Sequence, residues 1–301
     1  MRDRPGFPII RVTMSTAHAR DFVMTGAPRS GTTYLSAVLY RPPQVVTLSD
    51  PGGVWKRFYR EHGASPEIFG VFADFRRRIA AGKPVPVLAG TEGMAGRGRV
   101  DTWNQKKVEQ SVDVAPDFAL GMKNPEVFLA HLPIFLEAGL PCLVCVRHPV
   151  SVISSWVARK RRRGKPMKGF SDGEAVTFRS TAGDAAGRRI ELHNHFCRQI
   201  LAVRDHPRLK LVRYGEWFDR PGLLDEICDF VGLESPGRLE PAPIPPSSIV
   251  LDAGEQDRIL AECRIAGELG YPLDGDRLRP PGGSEAVPTG APASGASGGA
   301  R

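Results

Sequence analysis

Six residues near the start of the chain have the types and spacing to bind an anion: Gly26, Arg29, Ser30, Gly31, Thr32 and Thr33, within FVMTGAPRSGTTYL at 22–35. Phe22, Val23 and Met24 read as a short buried strand, the two glycines bracket a tight loop, and the threonines open a helix whose apolar residues Leu35, Val38 and Leu39 recur at helical spacing. In such a loop the backbone N–H groups converge at a helix N-terminus, where unsatisfied donors and the helix dipole favour a phosphate. The pattern G-x-x-x-x-G-K-[ST] is nearly met, but Thr32 stands where its lysine belongs. A nucleoside triphosphatase needs that lysine on its terminal phosphates; here the cation comes earlier, as Arg29.

The elements that must position this loop follow from hydrophobic periodicity. Short apolar runs at VVTLS (45–49), FALGM (118–122), PCLVCV (141–146) and KLVRY (210–214) alternate with helical stretches at about 53–82 (broken near Gly63 to Pro66), 126–138, from Pro149 onward, 183–205, 221–231 and 254–269. That alternation predicts an α/β fold with a mostly parallel central sheet flanked by helices. In such sheets ligands sit beyond the carboxyl ends of the strands, and Arg29, Asp50, Lys123 and Arg147 all fall at or just after those ends. Residues 84–116, rich in Gly and mixed charge, predict loops and a helix over the site, with substrate specificity as their role.

At 301 residues the chain can bury a substantial core. The expected organisation is a flexible leader over 1–20, a single α/β domain over 21–279 and a disordered Pro/Gly/Ser/Ala-rich tail over 280–301. No apolar run approaches the roughly 20 residues of a membrane span, and the N-terminus lacks the apolar core of a signal peptide, so a cytoplasmic protein is expected. Cys142 and Cys145 have C-x-x-C spacing but lie in an apolar run, which favours small buried hydrophobes over a redox turn. The net charge is +8, and RKRRRGKPMK at 159–168 carries seven cations, so the rest of the chain holds 8 − 7, or +1. This run reads as the footprint of a non-specific polyanion binder, as a basic flap beside the nucleotide or an acidic acceptor, or as simple solvated surface charge.

GAPRSGTTYL resembles the 5′-phosphosulfate-binding loop of sulfotransferases that use 3′-phosphoadenosine 5′-phosphosulfate (PAPS). VRHPVSVISSW, residues 146–156, resembles their 3′-phosphate-binding strand and helix, with Arg147 and Ser155 in the phosphate-holding positions. MKNP resembles a lysine-x-proline step of the tyrosylprotein and related bacterial branches and puts Lys123 at its lysine. The stretch 212–233 resembles the family's late strand and helix, which would bring Tyr214 near the nucleotide. The resemblance spans about residues 21–233 and leaves the middle unmatched.

It implies a three-layer P-loop-type fold and transfer of a sulfuryl group from PAPS to an unidentified hydroxyl acceptor, with release of 3′,5′-ADP and no metal. It also implies a 5′-phosphosulfate cradle of Arg29, Ser30, Gly31, Thr32 and Thr33. The histidine of the steroid and phenol branches, two residues after a lysine, is replaced here by Pro125. A tyrosylprotein-branch glutamate, 21 residues after the loop arginine, maps to Asp50, since 29 + 21 is 50. Asp50 is therefore the expected base, with capping of a helix after Pro51 as its competing role and with His148, His193, His195 and Glu92 as other bases. Arg29 and Lys123 complete the expected catalytic set. No specific nucleic-acid partner is expected, and two rival functions remain open at this level: a P-loop kinase-like phosphotransferase and a non-catalytic binder of polyanions or nucleic acid.

Overall fold

Strand β1 (Asp21–Gly26) is apolar at consecutive positions because both of its faces are covered. Phe22 and Met24 pack with Leu35, Leu39, Leu143 and Leu224 on one side; Val23 packs with Leu48, Met122, Val144 and Phe128 on the other. The computed structural model describes residues 20–52, 54, 58, 65–88, 107–163, 174–175, 177–236 and 251–271.

Five parallel strands form the central sheet, in the order β2 (Val45–Ser49), β5 (Ala119–Lys123), β1, β6 (Cys142–Val146), β9 (Leu209–Arg213). Parallel pairing requires crossovers, which the helices supply on both faces. One layer holds α1 (Thr32–Leu39) and α8 (Leu223–Phe230). The other holds α2 (Ile68–Ala80), α3 (Val127–Ala130), α4 (Leu132–Glu137), α5 (Pro149–Arg163), α6 (Ala185–Leu201) and α9 (Ala253–Glu262). A short helix, α7 (Glu216–Asp219), follows β9, and a 3-10 turn, Arg264–Leu269, follows α9.

Three expectations are corrected. Within 84–116, where loops and a helix are expected, β3 (Val85–Leu88) and β4 (Lys107–Gln110) pair as antiparallel strands, while residues 89–106 lie outside the described residues. The helix expected over 126–138 is two, broken at His131 ahead of Pro133. The last helix ends at Glu262 and gives way to the 3-10 turn. A small hairpin, β7 (Glu174–Ala175) with β8 (Phe178–Arg179), lies outside every sequence expectation.

The leader up to residue 19, Glu92 and the tail lie outside the described residues, as do the side chains of the basic run. Among the described residues no helix is long and apolar enough to cross a membrane, and no group of three His, Cys, Asp or Glu could hold a metal ion.

Candidate functional site

The glycine loop is held from behind by the second motif. Trp156, buried on α5, donates its indole N–H to the Pro28 carbonyl at 3.0 Å, and Arg147 donates from Nη1 to the Arg29 carbonyl at 3.2 Å. Arg29 in turn donates from Nε to Ser155 Oγ at 3.0 Å. Arg29, Arg147 and Ser155, 126 residues apart at their widest pairing, thus meet at one place. The loop itself is tight: Ser30 is buried and bonds the Ala27 carbonyl through both its N–H (3.1 Å) and its hydroxyl (2.6 Å).

Both glycines are needed here. A Cβ on Gly26 would lie 2.1 Å from the Cys145 carbonyl oxygen, and one on Gly31 2.4 Å from the Tyr214 ring, each at a positive φ. Helix α1 starts at Thr32 with no side-chain cap and no acidic residue in its first turn. That end therefore leaves backbone donors and the helix dipole without a side-chain partner of its own.

Tyr214, just past β9, donates its N–H to the Val146 carbonyl at 2.9 Å and lays its ring under Arg147, whose guanidinium carbon stands 4.4 Å from the ring centroid. Burial lowers the Arg147 pKa, opposed by the nearby Tyr214 and Tyr271. The shift starts from far above neutrality, so Arg147 stays a cation; no salt bridge to it occurs among the described residues. A desolvated arginine on an aromatic face is a site for a dianionic oxygen cluster such as a phosphate.

Two strands away, Lys123 and Asp50 form a pair of opposite character. Lys123 ends β5 and Asp50 follows β2; these strands are neighbours, so Nζ meets Oδ2 at 2.8 Å while the Asp50 N–H donates to the Lys123 carbonyl at 2.7 Å. The lysine side chain is 4% exposed and the aspartate 41%, so the ammonium is buried and the carboxylate opens toward solvent. The backbone of Asp50 is left-handed, φ 47°, as is that of Arg29, φ 78°; among the described residues no other non-glycine has positive φ. Left-handed backbone costs a side-chain-bearing residue something of order 1 kcal/mol and gathers at sites where side-chain direction matters. The Asp50 carboxylate is thus engaged with Lys123.

The histidine alternatives fare differently. His148 lies just past the strand end at Val146; it is buried with its ring edge-on to Tyr271, and among the described residues its Nδ1 has no hydrogen-bond partner. Burial, with Arg147 second, lowers its pKa to about 4. His193 is buried among Trp156 and Cys197, and burial lowers it to about 4 as well. His195 stacks on Phe178 and meets Thr177 Oγ1 at 3.1 Å, beside the small hairpin rather than at a sheet end. Cys142 and Cys145 are buried, unbridged thiols; burial pushes Cys145 up to about 12, against the opposing Lys123 charge, so neither offers a thiolate.

Several contributors escaped the sequence reading. Asn124 accepts the Val127 N–H at 2.9 Å through Oδ1, capping the chain's turn out of the lysine step, and Thr25 Oγ1 donates to the Asn124 carbonyl at 3.0 Å. Trp156 was within reach of sequence reasoning, since a buried indole N–H needs an acceptor and the residue directly follows Ser155.

No family model and no curated protein matches this chain. Solved structures do resemble it. A sulfotransferase from Alicyclobacillus acidocaldarius aligns over 82% of this chain and 92% of its own at 14% identity and a TM-score of 0.47. A sulfotransferase from Mycobacterium avium aligns over 88% and 71% at 13% and 0.40. A mouse sulfotransferase complexed with PAP aligns over 86% and 70% at 11% and 0.39.

Proposed function

We propose that the chain transfers a sulfuryl group from PAPS to a hydroxyl acceptor. What supports this reading is that the glycine loop at the start of α1 lies directly beside a second cationic group, Arg147 on the Tyr214 ring, the two being joined by the Arg29–Ser155 bond. A nucleotide phosphorylated only at its 5′ end would leave the Arg147 end without a partner; one phosphorylated at 3′ and 5′ engages both.

In this reading the loop amides with Arg29, Ser30, Gly31, Thr32 and Thr33 hold the 5′-phosphosulfate. Arg147 and Ser155 hold the 3′-phosphate, with Tyr214 beneath Arg147. Asp50 takes the acceptor's proton as its oxygen bonds to sulfur and the bond from sulfur to the bridging oxygen breaks. The electron pair stays on that oxygen, which leaves as part of 3′,5′-ADP. A carboxylate has several lone-pair sites, so the bond from Lys123 is compatible with accepting that proton.

Arg29 and Lys123 offset the charge growing on the bridging oxygen, an effect worth roughly 3–4 kcal/mol per preorganised donor. The planar guanidinium carries five N–H donors, so the bond to Ser155 is compatible with a second bond to a ligand oxygen. No residue in this scheme calls for a metal. The parallel sheet without a membrane-crossing helix among the described residues fits a cytoplasmic enzyme acting on a dissolved nucleotide.

A thermal-shift screen with PAPS, 3′,5′-ADP, ATP and 5′-AMP tests this. The expected result is a raised unfolding temperature with the first two only. A shift with ATP and magnesium but none with 3′,5′-ADP would point to a phosphotransferase instead.

A further inference from the structure

We infer that Tyr271 is a positioning residue for Arg147, and that the turn before it, Arg264 to Gly270, is a strap across the 3′-phosphate end of the site; the inference rests on the proposed nucleotide reading. Arg147 can hold a phosphate only if the strand end that carries it is fixed. That end is Val146, whose carbonyl accepts two hydrogen bonds: the Tyr214 N–H at 2.9 Å, and the Tyr271 hydroxyl at 2.7 Å. The second bond spans 125 positions of sequence. On the far side of Arg147 the same Tyr271 ring stands edge-on to His148, with centroids 6.0 Å apart. Tyr271 therefore touches the residue before Arg147 and the residue after it while making no hydrogen bond to the guanidinium itself.

The strap is locked at its other side. Arg213, the last residue of β9, donates from Nε to the Leu269 carbonyl at 2.9 Å and from Nη1 to Glu216 at 3.1 Å. Gly270 takes a left-handed conformation, φ 86°, directly over that guanidinium; a Cβ there would stand 2.6 Å from Arg213 Nε. The turn thus binds the ends of two adjacent strands, β9 through Arg213 and β6 through Tyr271, on either side of the Tyr214 step that underlies Arg147. A half-buried tyrosine hydroxyl could be served by many carbonyls or by water; the acceptor it takes belongs to the peptide that presents Arg147.

The test is Tyr271→Phe in the full chain, which keeps the ring and its packing on His148 and removes one hydroxyl. Calorimetry measures the affinity of wild type and variant for 3′,5′-ADP and for 5′-AMP. The expected result is about a fivefold loss for 3′,5′-ADP, the size of one net hydrogen bond, with 5′-AMP changed by less than about twofold. Equal affinities in both proteins would overturn the assignment, and so would an equal loss for both nucleotides, which marks a structural residue. Wild type that fails to prefer 3′,5′-ADP over 5′-AMP would instead overturn the nucleotide reading, and this inference with it.

Discussion

At the end of β6 two arginines converge, Arg147 on the carbonyl of Arg29 and Arg29 on Ser155, with an aromatic ring beneath and a buried histidine behind. At the ends of β2 and β5 a buried lysine meets a half-exposed aspartate. The first arrangement gathers like charges, and in the proposed reading an anion from outside completes it. The second is neutral as a pair and holds its charges ready at fixed positions. Binding and chemistry make different electrostatic demands, and in the proposed reading they fall to different strand ends, with β1 between β5 and β6. The comparison breaks if substitutions at the two ends have the same consequences.

The largest difference is expected in turnover. Lys123→Ala removes a donor from the reacting end and is expected to lower turnover, followed as 3′,5′-ADP release with an accepted hydroxyl, by about 10²- to 10³-fold. A loss under tenfold would place Lys123 outside the transition state.

Stability should sharpen the contrast within the second end. Asp50→Asn leaves a buried ammonium without its counter-charge, whereas Lys123→Met leaves a carboxylate that water already reaches. After discounting for solvent screening at the exposed partner, the first is expected to cost about 1–2 kcal/mol in urea unfolding and the second under about 1. Equal costs would mean that the ammonium is solvated.

The smallest effect concerns His148. Its folded-state pKa of about 4 has burial as the main cause and Arg147 as the second, so Arg147→Ala should raise it while leaving it below 6.5, as read by NMR titration. Between those values the unfolded chain binds a proton on His148 that the folded chain does not. Stability therefore falls as pH drops from 6.5 toward 4, and falls less in the variant. No movement of the His148 titration would separate it from Arg147.

The strand ends were legible in the sequence because strands buried on both faces read as unbroken apolar runs, which locates Arg29, Asp50, Lys123, Arg147 and Tyr214 at once. What those residues touch was not legible. The Lys123–Asp50 pair depends on β2 lying beside β5, a sheet order that chain order does not dictate. Tyr271 depends on a fold-back over 125 residues, and nothing local marks it. The β3–β4 pairing was missed because Pro86 and the charged KVEQ run give no alternation of apolar and polar residues.

The most direct test of separate ends is the affinity of 3′,5′-ADP for wild type, Arg147→Ala and Lys123→Ala by calorimetry. We expect Arg147→Ala to weaken binding by about 10²-fold, as for loss of charge-assisted bonds to a phosphate, and Lys123→Ala to stay within about threefold of wild type. Unchanged affinity in Arg147→Ala would contradict the account.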